Sequence, residues 1–181
     1  MSSTTDTEAS IGIARPSALG EGTHMEFEHV IFDLPHGTFH ALQGGDPDGQ
    51  PTLVLHGFPD HPPTAAPFLA ELGRHGRRVL APWLRGYAPS PTAGPFDMAA
   101  LTSDVLALID RWSPGRAVEL IGHDWGALTH GADDGCFLPS QVDDRHRFAA
   151  PRAREVVPDV GHFLHVEAPE AIAKRIAAWA Q

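Results

Sequence analysis

The stretch GHDWG, at residues 122–126, is the part of this 181-residue chain that determines its fold. Two glycines surround Asp124, which is the pattern of a nucleophile elbow, a sharp strand-to-helix turn that pushes one reactive side chain into a pocket. The preceding residues 118–121 (VELI) are short, largely apolar and favour a β-strand, as such a turn requires. We therefore predict that Asp124 follows the end of a strand.

Strand and helix patterns alternate on both sides of this turn. Apolar, β-prone runs predict strands, and apolar residues at helical spacing predict helices, with Asp97 and Thr64 as N-caps. The predicted strands are 27–34, 38–42, 52–55, 78–81, 118–121 and 155–157, and the predicted helices are 64–75, 97–112 and a last one that begins at Pro169. Such alternation predicts an α/β fold with a mostly parallel sheet and flanking helices.

Residues 1–24 differ in composition from the rest of the chain. They are rich in Ser, Thr, Gly and Ala and have no sustained apolar period, which is typical of a disordered tail. Met25 is an alternative natural start. We expect residues 25–181 to form a single domain.

Composition excludes several functions. The chain has 13 Lys and Arg against 23 Asp and Glu, a net charge of -10, so no basic surface is expected for nucleic acid. No apolar run approaches the roughly 20 residues of a membrane helix, and the N-terminus lacks the basic region of a secretory signal. A lone cysteine, Cys136, favours a cytoplasmic location. The histidines show no metal-binding spacing, so we expect neither a metal nor a cofactor.

Three side chains have the types and order of a catalytic triad. Asp124 can attack a saturated carbon and form an alkyl ester with the enzyme. His162, in the GHF of residues 161–163 after the strand at 155–157, is the predicted base that activates water. Asp134, in the GADDG of residues 131–135, is the predicted acid that orients the imidazole, and Asp133 is its alternative.

Two backbone N–H groups are candidates for an oxyanion hole. One belongs to Trp125, directly after the nucleophile, and the other to Phe58, in the HGFP of residues 56–59 after the strand at 52–55. Pro59 has no N–H to donate. Taken singly, each motif is compatible with an ordinary turn, a structural histidine or a solvated loop. Their conjunction, in this order and after predicted strands, favours a hydrolase.

The motifs at 56–59, 84–87 (LRGY), 122–126, 131–134 and 161–163 together resemble those of the α/β-hydrolase superfamily, in its epoxide hydrolase and haloalkane dehalogenase branch. The resemblance extends from about residue 27 to the C-terminus. It implies hydrolysis of a small epoxide or haloalkane-like substrate, with Asp124 as nucleophile, Asp134 as acid and His162 as base. It also implies Phe58 and Trp125 as oxyanion donors. Residues 85–87 are expected to form a structural loop, with a substrate contact as the alternative.

One part of the family pattern is missing. In the family, a helix, a strand, a helical cap domain and another strand separate the elbow from the acid loop. Here nine residues, 125–133, lie between Asp124 and Asp134, whereas one parallel crossover alone takes at least about 10–12 residues. Residues 125–129 resemble the start of the elbow helix, and 130–131 the end of the later strand. We therefore predict an internal deletion near 128–130 and no cap domain.

Two consequences follow from this deletion. Apolar sheet surface should be exposed and promote self-association. The cap tyrosines that protonate an opening epoxide in the family have no counterpart, since the only tyrosine is Tyr87. The alternative function is therefore a catalytically inactive remnant, or a binding domain of the same fold.

Overall fold

The computed structural model describes residues 25–123, 129–131 and 155–179. Five strands form one mixed sheet in the order β1-β2-β4-β3-β5. The β1–β2 and β2–β4 pairs are antiparallel, whereas β4–β3 and β3–β5 are parallel. The strands are β1 (Glu28–Leu34), β2 (Gly37–Gly45), β3 (Gln50–Leu55), β4 (Arg77–Pro82) and β5 (Glu119–Gly122). The predicted α/β architecture is confirmed, and the parallel part of the sheet is the part that leads into GHDWG.

Helices flank the sheet. They are α1 (Ala66–Arg74), α2 (Met98–Trp112), α3 (Leu164–Glu167) and α4 (Pro169–Trp179), with a 3-10 turn at Pro62–Ala65. Asp97 caps α2 as predicted, because its carboxylate accepts a 2.8 Å hydrogen bond from the N–H of Ala100. The prediction for Thr64 was wrong. This residue lies inside the 3-10 turn, and its hydroxyl bonds to the Asp60 carboxylate and the His61 carbonyl.

Each face of the sheet has its own apolar core. On one face, α1 and α4 pack together over the sheet, and the core includes Phe68, Leu72 and Ile172. On the opposite face, Leu53 and Trp112 lie at the centre of a second core to which α2 contributes. Three layers follow from this arrangement, with the sheet buried between helices as an α/β fold requires.

The parallel strands end at one edge of the sheet. In the register of β3 and β5, Leu55 lies opposite Gly122, so the loops that leave these strands begin side by side. The N–H of His123 extends this pairing by one residue, donating to the carbonyl of Leu55 at 3.0 Å. The HGFP loop and the start of GHDWG therefore share the carboxyl edge, where ligands bind in open α/β sheets.

A second sheet consists of two short parallel strands, β6 (Thr129–Gly131) and β7 (Glu155–Val157). Strand β6 begins seven positions after Gly122, the last residue of β5. Thr129 is therefore in a strand and not in the elbow helix, whereas the predicted strand end at 130–131 is confirmed. The predicted tail at 1–24 and the deletion near 128–130 stay predictions, since residues 1–24, 124–128 and 132–154 lie outside the described ranges.

Among the helices of the described ranges, none combines the length and apolar character needed to cross a bilayer.

Candidate active site

His123 connects the end of β5 to the loop that carries His162. Its Nε2 lies 2.9 Å from the backbone carbonyl oxygen of His162, and the two imidazole rings are 5.1 Å apart between centroids. A carbonyl only accepts, so Nε2 of His123 carries the proton and donates it. The residue that immediately precedes Asp124 in the chain thereby fixes the backbone at the predicted base.

Glu167 fixes the same loop from the other side. Its carboxylate accepts hydrogen bonds from the N–H groups of Gly161, at 2.7 Å, and Phe163, at 3.1 Å. A side chain on residue 161 would place its Cβ 3.0 Å from the Glu167 carboxylate, so the glycine leaves room for this contact. Hydrogen bonds to an ionised acceptor are stronger than neutral ones. The two residues that surround His162 are thus held by one carboxylate.

Asp60 and His165 form a buried pair beneath this loop. The Nε2 of His165 lies 2.6 Å from Oδ2 of Asp60, and both side chains are more than nine-tenths buried. The other oxygen, Oδ1, accepts from the N–H of His61 at 2.8 Å and from the hydroxyl of Thr64. The HGFP loop is therefore connected to α3 through a carboxylate and an imidazole that are 105 residues apart in the chain.

The protonation states of this pair follow from its surroundings. Burial alone would raise the pKa of Asp60, but the hydrogen bonds from Thr64, His61 and His165 outweigh it, and the net pKa lies below the ordinary value. Burial lowers the pKa of His165, and nearby His123 lowers it further, against the opposing effect of Asp60. At neutral pH the pair is thus a carboxylate that accepts from a neutral imidazole.

His56 fixes the position of the HGFP loop against residues 84–87. Its Nδ1 donates to the carbonyl of Gly57 at 2.9 Å, and its Nε2 accepts from the N–H of Leu84 at 3.1 Å. Its ring meets that of Tyr87 edge-on, with centroids 4.6 Å apart. Burial is the main reason that the pKa of His56 is lowered, so the neutral tautomer required by both bonds is the stable one.

Arg85 anchors the LRGY loop to α2. Its guanidinium makes two bonds to the Asp104 carboxylate, at 2.6 and 2.7 Å, and His36 contacts the same carboxylate at 3.0 Å. Hydrogen bonding to Asp104 raises the pKa of Arg85 above its ordinary value. The side chains of Arg85 and Asp104 are 8% and 4% exposed. The prediction of a structural loop at residues 85–87 is therefore supported for Arg85, because its guanidinium forms an internal ion pair.

The structure brings two of the predicted site residues to the carboxyl edge. His162 lies on the loop between β7 and α3, and Phe58 lies on the loop after β3 with 68% of its surface exposed. Asp124, Trp125, Asp133 and Asp134 lie outside the described residues, so their roles stay predictions.

Sequence reasoning missed Asp60, His123 and His165 as members of the site. The available signals were local and weak. Asp60 directly follows HGFP, His123 is the second residue of GHDWG, and His165 comes three positions after His162. None of these positions predicts the contact between residues 60 and 165, because that contact depends on tertiary packing.

The family comparison agrees with this geometry. A family model described as the alpha/beta hydrolase fold matches residues 50–130, which include β3, β4, α2 and β5. The crystal structure of a predicted CIB-like hydrolase from Thermoplasma acidophilum superposes with a TM-score of 0.73 over 86% of this chain and 98% of its own, at 13% identity. The chain has the α/β-hydrolase fold.

Sequence relatives place this α/β-hydrolase-fold chain near the epoxide hydrolases, as its motifs predicted. Epoxide hydrolase A of Mycobacterium tuberculosis is 39% identical over 94 residues, which is 49% of this chain and 28% of the relative. The crystal structure of an epoxide hydrolase from Vigna radiata is 31% identical, with a TM-score of 0.51, over 59% of this chain and 34% of its own. The chain thus spans well under two thirds of the length of these relatives.

Proposed function

We propose that this chain hydrolyses a small epoxide or haloalkane-like substrate through an alkyl-enzyme ester on Asp124. The observation that supports this best is the 2.9 Å contact between His123 and the carbonyl of His162. It holds the predicted base to the residue that precedes the predicted nucleophile. The sequence relatives named epoxide hydrolase support the same reaction class.

The first step forms the ester. A carboxylate oxygen of Asp124 attacks the substrate carbon while the carbon–oxygen bond of an epoxide, or the carbon–halogen bond of a haloalkane, breaks. The electron pair of that bond goes to the epoxide oxygen, which takes up a proton, or leaves with the halide. The cap tyrosines that supply this proton in the family have no counterpart in the sequence, so a haloalkane, which needs no proton, is the less demanding substrate.

The second step hydrolyses the ester. His162 removes a proton from water, and the resulting hydroxide attacks the ester carbonyl. The intermediate collapses by breaking the bond between the carbonyl carbon and the alkoxy oxygen, and the protonated His162 gives its proton to that oxygen, which releases the alcohol or diol. The new carboxylic acid on Asp124 then loses its proton to water. Asp134, or its alternative Asp133, stabilises the protonated imidazole. The N–H groups of Phe58 and Trp125 stabilise the negative oxygen of the intermediate. No metal or cofactor takes part in either step.

Trapping the ester tests the proposal. In His162→Gln the first step proceeds and the second stops, so incubation with a 1-haloalkane should add the mass of the alkyl group in place of one hydrogen. This variant keeps the backbone carbonyl that His123 contacts. Peptide mapping should place the adduct on Asp124, and Asp124→Ala should form none. His75→Gln, a change at an exposed histidine, should behave as the unmodified chain.

The alternative is a catalytically inactive remnant or a binding domain with the same fold. The placement of β6 favours it, because this strand follows β5 closely and pairs with β7. An internal deletion near 128–130 without a cap domain would account for that spacing. A chain that melts cooperatively but forms no adduct in His162→Gln would support the remnant and contradict the hydrolase.

The setting of the proposed reaction follows from composition. A net charge of -10 gives no basic surface for nucleic acid, and a single cysteine, Cys136, suits the reducing cytoplasm. We infer a small-molecule substrate as the main partner. Self-association through apolar sheet surface is a second proposed interaction, since Leu120 on β5 is 54% exposed.

A further inference from the structure

Two imidazole nitrogens at the carboxyl edge are buried and have no hydrogen-bond partner among the residues that the structure describes. They are Nδ1 of His123 and Nδ1 of His165, and neither has a donor or acceptor within the described ranges. The two rings lie 4.4 Å apart between centroids. Buried polar atoms are almost always satisfied in folded proteins, so two unsatisfied nitrogens on neighbouring rings indicate a further partner.

The other nitrogen of each ring fixes what the unsatisfied nitrogen offers. Nε2 of His123 donates to the carbonyl of His162, and Nε2 of His165 donates to the carboxyl group of Asp60. In a neutral imidazole that donates from Nε2, the lone pair is on Nδ1. The site therefore presents two lone pairs in a buried position, beside a carboxylate that brings negative charge.

This is the arrangement that metal-binding histidines have in proteins. A ligating imidazole usually donates its other N–H to a carboxylate or a backbone carbonyl, which fixes the ring and makes the ligand nitrogen more basic. His165 has the carboxylate of Asp60 behind it, and His123 has the carbonyl of His162. One ligand atom from each of Asp60, His123 and His165 lies within 4.8 Å of the other two.

We propose that Asp60, His123 and His165 form a binding site for a divalent transition metal of the zinc class. Imidazole nitrogen suits Zn²⁺, Co²⁺, Ni²⁺ and Cu²⁺, whereas Mg²⁺ and Ca²⁺ prefer sites made of oxygen ligands. The expected metal ligands are Nδ1 of His123 and Nδ1 of His165. Asp60, which is hydrogen-bonded to the other nitrogen of His165, compensates part of the positive charge of the ion. The site does not depend on the proposed hydrolase reaction, because none of its three residues takes part in either chemical step.

The position of the site implies a function for the bound ion. Asp60 follows the HGFP loop, His123 ends β5 and His165 lies on α3, so an ion would join three segments that meet only through tertiary structure. It would stabilise the folded chain, since a ligand that binds only the native state shifts the unfolding equilibrium. It would also restrict the backbone next to Asp124. The metal would thus be structural and would rigidify the carboxyl edge.

Binding to the full chain, first treated with a chelator and then dialysed, tests the site. Titration calorimetry should give one equivalent of Zn²⁺ bound at micromolar or lower Kd, and Mg²⁺ should give no heat. Co²⁺ should produce the visible absorption of a four-coordinate site, and Zn²⁺ should raise Tm. His123→Gln and His165→Gln should each weaken Zn²⁺ binding at least 100-fold, whereas His75→Gln, at an exposed histidine, should leave it unchanged.

Two results would overturn the proposal. One is the absence of stoichiometric Zn²⁺ binding by the unmodified chain. The other is Zn²⁺ binding that survives both glutamine variants, because the ion would then bind elsewhere. Should either variant fail to fold, anomalous diffraction from zinc-soaked crystals of the unmodified chain decides the question, since an ion must appear between His123 and His165. The trapped-ester experiment uses no metal, so the two proposals can fail independently.

Discussion

Replacing Asp104 with alanine tests the importance of the buried ion pair that anchors the LRGY loop. The carboxylate receives two bonds from Arg85 and one contact from His36, and it is 4% exposed. Alanine at this position would leave the Arg85 guanidinium, itself 8% exposed, without a counter-charge. A buried charge that has lost its partner cannot regain its hydration without local unfolding.

Two independent estimates give a similar magnitude for the unfolding free energy that is lost in Asp104→Ala. Removing one partner of a buried ion pair costs about 3–5 kcal/mol of unfolding free energy. Counted by bonds, two hydrogen bonds to a charged group at about 1.5–3 kcal/mol each give about 3–6 kcal/mol. For a chain of this size, where each kcal/mol changes Tm by about 2–4 °C, Tm should fall by about 6–20 °C.

Urea denaturation followed by circular dichroism measures this cost, with an unchanged slope m as evidence that only stability has changed. Glu71→Ala is the matched control, because the Glu71–Arg74 pair on α1 has one partner 47% exposed, and its loss should cost at most about 1 kcal/mol. The joint replacement Arg85→Met with Asp104→Leu should recover much of the loss, since no charge is left unpaired. If Asp104→Ala cost no more than Glu71→Ala, the reasoning from burial would be refuted.

Three further predictions concern the carboxyl edge and the sheet surface. Glu167→Ala should destabilise the chain by about 1–2 kcal/mol and slow the His162-dependent hydrolysis of the Asp124 ester at least tenfold, with Glu167→Gln intermediate. Unfolding and single-turnover rates that match the unmodified chain would contradict this. The pKa of His56, which faces Asp60, His61 and His123, is lowered in the folded chain, so the unfolded chain takes up a proton at this residue first as pH decreases. The contribution of His56 to the free energy of unfolding should therefore be full above pH 6.5 and fall below it. His56→Gln should flatten that part of the stability profile, and a profile unaltered by the substitution would rule the effect out. Leu120→Lys should weaken self-association in sedimentation experiments by about 10- to 100-fold, because burying one leucine is worth about 1.5–3 kcal/mol. Met98→Lys, at the exposed start of α2, is the control and should have no effect. Equal association of both variants would place the contact elsewhere.

Local rules were sufficient for much of the fold. The Asp97 cap and the spacing of Leu108 and Trp112 predicted α2, and both of those apolar residues are buried. Pro169 begins α4 as predicted, because proline suits the first turn of a helix. These features depend on residues close in sequence, so the chain itself contains the necessary information.

Local rules failed where neighbours in space decide the structure. Thr64 has the chemistry of an N-cap, but a 3-10 turn already begins two residues earlier, at Pro62, and the hydroxyl bonds to Asp60 instead. The pairing of Asp60 with His165 spans 105 residues and follows no sequence period. The sequence predicted a site at Asp124, Asp134, His162, Phe58 and Trp125, of which the structure describes His162 and Phe58. The buried groups around them became visible only in three dimensions.

The core beside α1 also governs how a nascent chain can fold. Phe68 and Leu72 are covered in part by Val157, Ile172 and Ala173, which are synthesised about a hundred residues later. Until those later residues leave the ribosome, the apolar core around α1 lacks part of its cover and is open to chaperones. This core is thus completed only after residues 157–173 have been made, although four of the five strands of the main sheet lie before residue 83.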